Sequence, residues 1–335
     1  MVRQKRMNVI AFSSILLAAI SFQCLFGSAY GERAPADNAD TFAARIFKNR
    51  QGKSMPYRLF VPRNYDRRKK YPLVLWLHGG GGRGTDNVKQ ISEGNTSGSH
   101  IWTTPSSQAA HPAFVLAPQC PEDAMWTSVD KAESTDQLKL ALELLAAIEK
   151  EFNIDVERIY VAGQSMGGLA AWSLISEHPG MFAAAIPVCG GGDETLAPKL
   201  VKTAIWAFHG AQDQAISADR SRRMIAAIRK AGGSPRYTEY HNLGHNSWDR
   251  AFAEPDLVPW TFAQRTNGYK KATKNAKDLV KLVRRGDKND RFSAKQTDAS
   301  DVSECASSTQ HSRKFNCRCS KAVQTLLSPA SPQST

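Results

Sequence analysis

The chain has 335 residues, of which 41% are hydrophobic and 22% charged, and its formal net charge is +13. This length suits one large α/β domain or two small ones. The excess of basic residues lies at the two ends: residues 1–31 hold three Lys or Arg and no acidic residue, and residues 267–335 hold fourteen Lys or Arg against six Asp or Glu. The middle of the chain is therefore nearly neutral, which argues against a nucleic-acid-binding protein.

The first 31 residues have the pattern of a secretory signal peptide. A basic start is followed by an apolar run and then by small residues, with Ala29-Tyr30-Gly31 as the expected cleavage site. A membrane anchor is the alternative, but serines and a glutamine interrupt the apolar run, which makes it a poor span. We expect a protein that is secreted or periplasmic after cleavage near Gly31, with no membrane span.

Residues 32–266 are expected to form one α/β domain, because short apolar runs alternate there with helical patterns. Several of these runs are unbroken, as in parallel strands that are buried on both faces. The strands that we predict are Phe42–Phe47, Arg58–Val61, Leu73–Leu77, Ala113–Ala117, Ile159–Ala162, Ala184–Val188, Ala204–Phe208 and Arg236–Tyr240.

Helical periodicity is clearest from Thr135 to Phe152, where apolar residues recur along one face and Ser134 or Thr135 is placed to cap the first turn. Another helix is predicted around Met224, before the last strand. Residues 267–335 differ in composition, and we predict a basic, polar, largely disordered tail there, with a possible basic helix over 270–285.

The segment IYVAGQSMGGLAAW, residues 159–172, contains Gly-x-Ser-x-Gly between a predicted strand and a predicted helix. This is the context of a nucleophile elbow, in which the serine lies on a sharp turn and larger side chains at Gly163 and Gly167 would clash. Ser165 is therefore the candidate nucleophile. The backbone N–H of Met166, at the start of the helix, is a candidate donor to an oxyanion.

A serine nucleophile needs a base that is oriented by an acid, and in this architecture they follow in the order serine, acid, histidine. Asp213 and His245 come in that order, each in a loop after a predicted strand. Asp193, one loop earlier, remains an alternative acid. His241 and His245 form a weaker zinc-binding hypothesis, since HNLGH contains a glycine and follows a strand rather than lying on a helix.

A glycine-rich loop, His78 to Gly82, follows the third predicted strand. It matches the HGGG-type motif, in which bare glycines allow a backbone N–H to approach the substrate oxygen. Gly80 or Gly81 is the candidate for this second oxyanion donor. A dinucleotide-binding loop is disfavoured because the glycines do not follow the G-x-G-x-x-G order.

These motifs resemble those of the α/β-hydrolase superfamily, and within it those of secreted esterases. That group includes polyhydroxybutyrate-depolymerase-like, feruloyl-esterase-like and phospholipase/carboxylesterase (predicted peptidase) proteins. The resembling segments, in family order, are LHGGGGRGTDN, VLAPQCPEDAMW, RIYVAGQSMGG, IPVCGGGD, AFHGAQDQAI and YHNLGHNSWDRAF.

The resemblance implies an α/β-hydrolase fold with a mostly parallel central sheet and helices on both faces. It also implies Ser165 as nucleophile, Asp213 as acid and His245 as base, with oxyanion donors from Met166 and the loop after His78. The implied reaction is two-step acyl transfer from an ester, either a small molecule or one linked to a polysaccharide, and it needs no cofactor.

Loop residues on the expected active side are candidates for substrate binding. Packing within the loops is the competing interpretation, especially for the tryptophans. The candidates are Trp102, Trp126, Trp248, Gln119 and Gln164.

The strand order that the resemblance implies separates Cys120 from Cys189 by two strands, which is too far for a disulfide. We therefore expect these two cysteines not to be bonded to each other. In the tail, Cys305, Cys317 and Cys319 with His311 could provide zinc ligands, but their spacing fits no standard pattern and we expect no metal site.

Three functions remain open from the sequence. The favoured one is a secreted serine esterase whose basic tail contacts anionic surfaces. The others are a serine peptidase on the same fold and an inactive hydrolase scaffold that is used for binding. The complete set of site residues argues against the scaffold.

Overall fold

The computed structural model describes residues 42–128 and 133–266, which contain a sheet of eight strands. The order across the sheet is β1-β2-β4-β3-β5-β6-β7-β8. The first two strands pair antiparallel with their neighbours, and the strands from β4 to β8 are parallel. The strands are β1 Phe42–Lys48, β2 Ser54–Phe60, β3 Tyr71–Leu77, β4 Phe114–Pro118, β5 Ile154–Gln164, β6 Ala184–Val188, β7 Ala204–Gly210 and β8 Arg236–Tyr240.

Each predicted strand is present, so the mostly parallel α/β sheet is confirmed. Two strands begin at least four residues earlier than predicted. β2 begins at Ser54 because it pairs with β1 along its whole length, Lys48 lying opposite Ser54. β5 begins at Ile154, where it pairs with Tyr71 ahead of a register shift. The first residues of β5 include charged side chains, so the apolar pattern did not predict that the strand begins there.

Helices connect the strands. The α-helices are α1 Thr96–His100, α2 Pro105–Ala110, α3 Asp136–Glu151, α4 Met166–Glu177, α5 Asp219–Lys230, α6 Trp248–Phe252 and α7 Leu257–Phe262. Shorter 3₁₀ turns cover Gly80–Gly82, Lys89–Ile91, Glu93–Asn95 and Glu194–Leu200. The cap of α3 is Thr135, whose side chain accepts a hydrogen bond from the Gln137 N–H.

The sheet has a hydrophobic core on each face, because successive residues of a strand point to opposite sides. Leu75 packs in the core that α3, α4 and α5 cover, together with Leu145 and Trp172. Trp76 packs in the other core, together with Phe252 and Phe262 from α6 and α7. Helices therefore cover both faces, as predicted.

The parallel strands bring distant parts of the chain to one edge of the sheet. β5, β7 and β8 all run in the same direction, and the three candidate catalytic residues follow their carboxyl ends. In open α/β sheets this edge is where sites form. Cys120 and Cys189 follow β4 and β6, which β3 and β5 separate, and both are free thiols, as predicted.

None of the described helices has the length and apolar character that crossing a bilayer requires. The signal peptide at residues 1–31, the basic helix at 270–285 and the tail cysteines lie outside the described residues and stay predictions.

Candidate active site

Ser165 lies at the junction between the end of β5 and the start of α4. Its backbone has φ +53° and ψ −116°, in the left-handed half of conformational space that few serines adopt. The Ser165 N–H is held by the carbonyl oxygen of Val188 at 2.9 Å. A strained backbone of this kind persists only where its surroundings fix it, and such residues concentrate at functional sites.

The two glycines of the motif leave no room for a side chain. A Cβ on Gly163 would clash with the carbonyl of Gly167, and a Cβ on Gly167 would clash with the carbonyl of Leu77. These contacts are with backbone atoms, which cannot move aside as a flexible side chain could. The structure therefore shows the crowding that the sequence pattern predicted for a nucleophile elbow.

A continuous chain of hydrogen bonds joins the three residues that the sequence singled out. Ser165 Oγ lies 2.8 Å from His245 Nε2, and His245 Nδ1 lies 2.7 Å from Asp213 Oδ2. Because a carboxylate only accepts, Nδ1 carries the proton and Nε2 is free to accept from the serine hydroxyl. Ser165 and His245 are partly exposed, whereas the side chain of Asp213 is buried.

Asp213 is held as a carboxylate by the groups around it. Its Oδ1 accepts hydrogen bonds from the backbone N–H groups of Ala215 at 2.8 Å and Ile216 at 2.9 Å. Burial alone would raise the pKa of Asp213, but the hydrogen bonds from His245 and the backbone keep that pKa below its usual value. The arrangement thus places a fixed negative charge behind the imidazole.

The alternative acid does not reach this site. Asp193 caps the 3₁₀ turn Glu194–Leu200, its Oδ1 accepting hydrogen bonds from the N–H of Thr195 at 2.9 Å and from its hydroxyl at 2.6 Å. Its carboxylate is therefore engaged in local structure.

One group of possible metal ligands lies in the site. Cys189 Sγ and the ligand atoms of Asp213 and His245 lie within 4.8 Å of one another among the described residues, whereas His241 is exposed and belongs to no such group. Burial raises the pKa of the Cys189 thiol to about 11, and Sγ donates to the carbonyl oxygen of His245 at 3.0 Å. The hydrogen-bonded chain accounts for the positions of Asp213 and His245, and the protonated thiol of Cys189 is a poor ligand.

His78 organises the glycine-rich loop from a fully buried position. Its Nδ1 donates to the carbonyl oxygen of Gly79 at 2.7 Å, and its Nε2 accepts from the N–H of Cys120 at 3.0 Å. Burial lowers the pKa of His78 to about 4, so the ring is neutral at neutral pH. A Cβ on Gly82 would clash with this ring, which explains the glycine there.

The next two glycines, Gly80 and Gly81, have open space where a side chain would lie. Gly80 and Gly81 begin the 3₁₀ turn, and the first amides of a helical turn have no partner inside it. A Cβ at either position would meet nothing within 4 Å. The Gly79 N–H, by contrast, donates to Asn95 Oδ1 at 2.9 Å. Asn95 was not identified from the sequence, where nothing marked its pairing with this loop.

Two of the predicted substrate-binding tryptophans are buried, and their assignment was wrong. Trp102 and Trp126 have no exposed surface. The indole N–H of Trp102 donates to the carbonyl oxygen of Gly98 at 2.8 Å, and that of Trp126 donates to the carbonyl oxygen of His78 at 3.2 Å. Both tryptophans pack the loops, so a substrate cannot touch them in this structure.

Gln119 and Gln164 also support loops rather than facing solvent. Gln119 is fully buried, and its Nε2 donates to the carbonyl oxygen of Gly82 at 3.1 Å. Gln164 is 3% exposed, and its Nε2 donates to the carbonyl oxygen of Gly94 at 2.7 Å. The predicted contact with substrate is therefore wrong for Gln119, and for Gln164 the amide N–H is already engaged.

Trp248 remains a candidate for substrate contact. Its ring is partly exposed and lies edge-on to the ring of His245, with centroids 5.6 Å apart at 88°.

His209, a residue beside the site, was not identified from the sequence, although it directly follows a predicted strand and stands four positions before Asp213.

Comparisons with known proteins agree with this fold. A family model described as "Putative esterase" matches residues 49–322, which is most of the chain and runs past the predicted domain end at residue 266. A thermostable esterase of known structure is 38% identical, with a TM-score of 0.65, over 68% of this chain and 64% of that one.

Two curated relatives are more distant. The bifunctional acetylxylan esterase/xylanase XynS20E of Neocallimastix patriciarum is 27% identical over 51% of this chain and 23% of its own length. The "Probable feruloyl esterase C" of Aspergillus terreus is 26% identical over 56% of this chain and 67% of its own length. This chain thus spans only a small part of the bifunctional enzyme. With the family match and the α/β-hydrolase sheet together, the chain belongs to the esterase family of α/β-hydrolases.

Proposed function

We propose that the protein is a serine hydrolase that cleaves carboxylic esters through an acyl-enzyme. The observation that carries this proposal is the hydrogen-bonded chain from Ser165 through His245 to Asp213, with the serine raised on a strained turn. Membership of the esterase family supports the same chemistry.

The geometry supports the following steps. His245 Nε2 takes the proton of the Ser165 hydroxyl as Oγ attacks the ester carbonyl carbon, and Asp213 stabilises the imidazolium that forms. His245 then gives this proton to the departing alcohol oxygen as the ester C–O bond breaks. Water, activated by His245, attacks the acyl-enzyme and releases the acid and the free serine.

The oxyanion of each tetrahedral intermediate needs hydrogen-bond donors that are already in place. We assign this role to the backbone N–H of Met166 and to that of Gly80 or Gly81. Met166 is the first residue of α4, where amide groups lack partners within the helix. Both glycines have open space where a Cβ would lie, so that a substrate can approach the loop closely there.

For the substrate class, we propose acetyl or feruloyl esters on plant cell-wall polysaccharide. The names of two relatives, an acetylxylan esterase/xylanase and a feruloyl esterase, support this class. Ser165 and His245 are accessible from solvent, and the partly exposed ring of Trp248 beside them offers a surface on which a sugar or an aromatic acyl group can stack. The predicted secretion suits a polymer outside the cell.

The test is hydrolysis by the purified full chain of p-nitrophenyl acetate, methyl ferulate, acetylated xylan and a peptide mixture. We expect turnover of the esters and a loss of about 10⁴-fold or more in kcat for Ser165→Ala. Ser173→Ala is the matched control. Ser173 lies in α4, the helix that follows Ser165, and its hydroxyl donates to Glu177 Oε1, so this variant should keep wild-type activity. Cleavage of peptides without esters would contradict the proposal.

A further inference from the structure

His209 is a second histidine beside the carboxylate of Asp213. It lies in β7, has no exposed surface, and points its Nε2 at Asp213 Oδ2 over 3.2 Å. The same nitrogen lies 2.9 Å from the carbonyl oxygen of Ile216. On the other side of the ring, Nδ1 lies 2.8 Å from Ser221 Oγ, which is itself 3.0 Å from the carbonyl oxygen of Gly190.

The partners of His209 decide where its protons are. Both neighbours of Nε2 are oxygens that only accept hydrogen bonds, so Nε2 carries a proton. Burial lowers the pKa of His209, which favours the neutral ring. Nδ1 is then bare and accepts from the Ser221 hydroxyl, whose single proton serves either Nδ1 or the Gly190 carbonyl at one time.

We propose that His209 is a positioning residue for catalysis: its Nε2–H holds the carboxylate of Asp213 in the orientation that accepts the hydrogen bond from His245 Nδ1–H. This inference rests on the proposed ester hydrolysis and assigns a role within it to a residue outside the Ser165, His245 and Asp213 set.

The physical reason is the division of donors between the two carboxylate oxygens. Oδ1 is fixed by the N–H groups of Ala215 and Ile216, whereas Oδ2 faces the catalytic His245 and His209. Without the second donor, Oδ2 keeps one partner, and the carboxylate is free to rotate as the charge on His245 rises and falls. A neutral donor steadies the carboxylate without cancelling its charge.

The titratable groups that face this cluster are few. Asp213 and His245 act on His209, and Cys189, a protonated thiol, faces Asp213. Removing the His209 N–H leaves the negative charge on Oδ2 less shared, which stabilises the imidazolium of His245.

The experiment compares His209→Leu, which removes the donor, with His209→Gln, whose amide nitrogen is the same number of bonds from the backbone. Turnover of p-nitrophenyl acetate is measured from pH 5 to 9, and a serine-directed phosphonate counts the active sites, so that kcat refers to folded enzyme. His178→Gln is the matched control, because His178 follows the far end of α4.

We expect His209→Leu to lower kcat per titrated site by about ten- to a hundredfold, as for the loss of a hydrogen bond to a charged group. KM should change by less than about twofold, since the substrate does not touch His209. His209→Gln should restore most of kcat, and His178→Gln should match the wild type.

Wild-type kcat per titrated site in His209→Leu, or equal losses in the Leu and Gln variants, would overturn the proposal. If both fail to fold, His209→Phe serves instead, because its ring keeps the approximate volume of the imidazole and lacks the N–H that faces Asp213; wild-type kcat per titrated site in that variant overturns the proposal. Undiminished turnover in Ser165→Ala would instead overturn the proposed acyl-enzyme mechanism at Ser165, a result that no His209 variant gives.

Discussion

His78 illustrates how one buried side chain shapes the candidate site. Both ring nitrogens are used when the ring is neutral, one as a donor to Gly79 and one as an acceptor from Cys120. A proton on Nε2 would break the hydrogen bond from the Cys120 N–H and place a positive charge where water cannot solvate it. The neutral ring therefore holds the glycine-rich loop against the strand end, and with it the amides of Gly80 and Gly81.

This environment predicts a pH dependence of stability. The folded protein holds the pKa of His78 at about 4, whereas the unfolded chain binds the proton with the ordinary pKa of about 6.5. The contribution of His78 to the free energy of unfolding is complete above pH 6.5, and it is lost as the pH falls from about 6.5 towards 4. The difference between the two pKa values corresponds to about 3 kcal/mol.

Urea unfolding of wild type and of His78→Gln at pH 7.5 and 4.5 measures this effect. The contributions of other groups, including Asp213, to the free energy of unfolding are also lost in acid, but these groups are present in both proteins. We expect the free energy of unfolding to fall by about 2–3 kcal/mol more in the wild type than in the variant. An equal fall in the two proteins would show that His78 does not titrate as described.

At the scale of elements, the turn between β5 and α4 is the most constrained part of the fold. Gly163 and Gly167 pack against the backbone of neighbouring turns, so that the helix starts directly above the strand end. Gly80 and Gly81, in the 3₁₀ turn that follows the adjacent strand β3, have free space where a Cβ would lie. Glycine thus allows close packing at Gly163 and Gly167, and it leaves room for a substrate at Gly80 and Gly81.

This contrast predicts opposite outcomes for two alanine substitutions. Gly167→Ala should lower the free energy of unfolding by about 3 kcal/mol or more, because its Cβ overlaps the Leu77 carbonyl. Gly81→Ala should change that free energy by less than about 1 kcal/mol. It should nevertheless lower kcat, since its methyl group occupies the space where we place the substrate oxygen.

Thermal unfolding and ester turnover of the two variants provide the measurement. A stable Gly167→Ala protein would contradict the packing argument. A Gly81→Ala protein with wild-type kcat would remove Gly81 from the proposed oxyanion site and leave Gly80 as the candidate donor.

Much of the sheet and of the central site could be predicted from the sequence. The apolar runs gave the strands, and the order of Ser165, Asp213 and His245 relative to those strands gave residues that the structure brings together. These predictions rested on patterns that are local in the chain. The ends of β2 and β5 were missed because strand pairing, not apolar content, extends them.

The surroundings of the site could not be predicted in the same way. Whether Trp102 or Trp126 points into a loop core or toward a substrate depends on contacts between distant segments, and both proved to be buried. Asn95 and His209 act through pairings with Gly79 and Asp213 that no short motif records. Local sequence gives a residue its position on an element but not the direction of its side chain in a loop.

For the whole molecule, the parallel sheet is what makes the site possible. His245 lies 80 residues from Ser165 and 32 from Asp213, and the common direction of β5, β7 and β8 brings the three to one edge. The excess of basic residues is in the two ends of the sequence, residues 1–31 and 267–335, and residues 32–266 are nearly neutral. Contact of the tail with anionic surfaces stays a prediction.

The proposed mechanism requires a covalent intermediate at one serine. The most direct measurement is acid quenching of the full chain milliseconds after mixing with p-nitrophenyl acetate, followed by mass spectrometry of its peptides. We expect a burst of p-nitrophenol close to one equivalent and a single acetyl group on Ser165, with neither in Ser165→Ala. Steady ester turnover without acetylation of Ser165, or with the acetyl group on another residue, would contradict this mechanism.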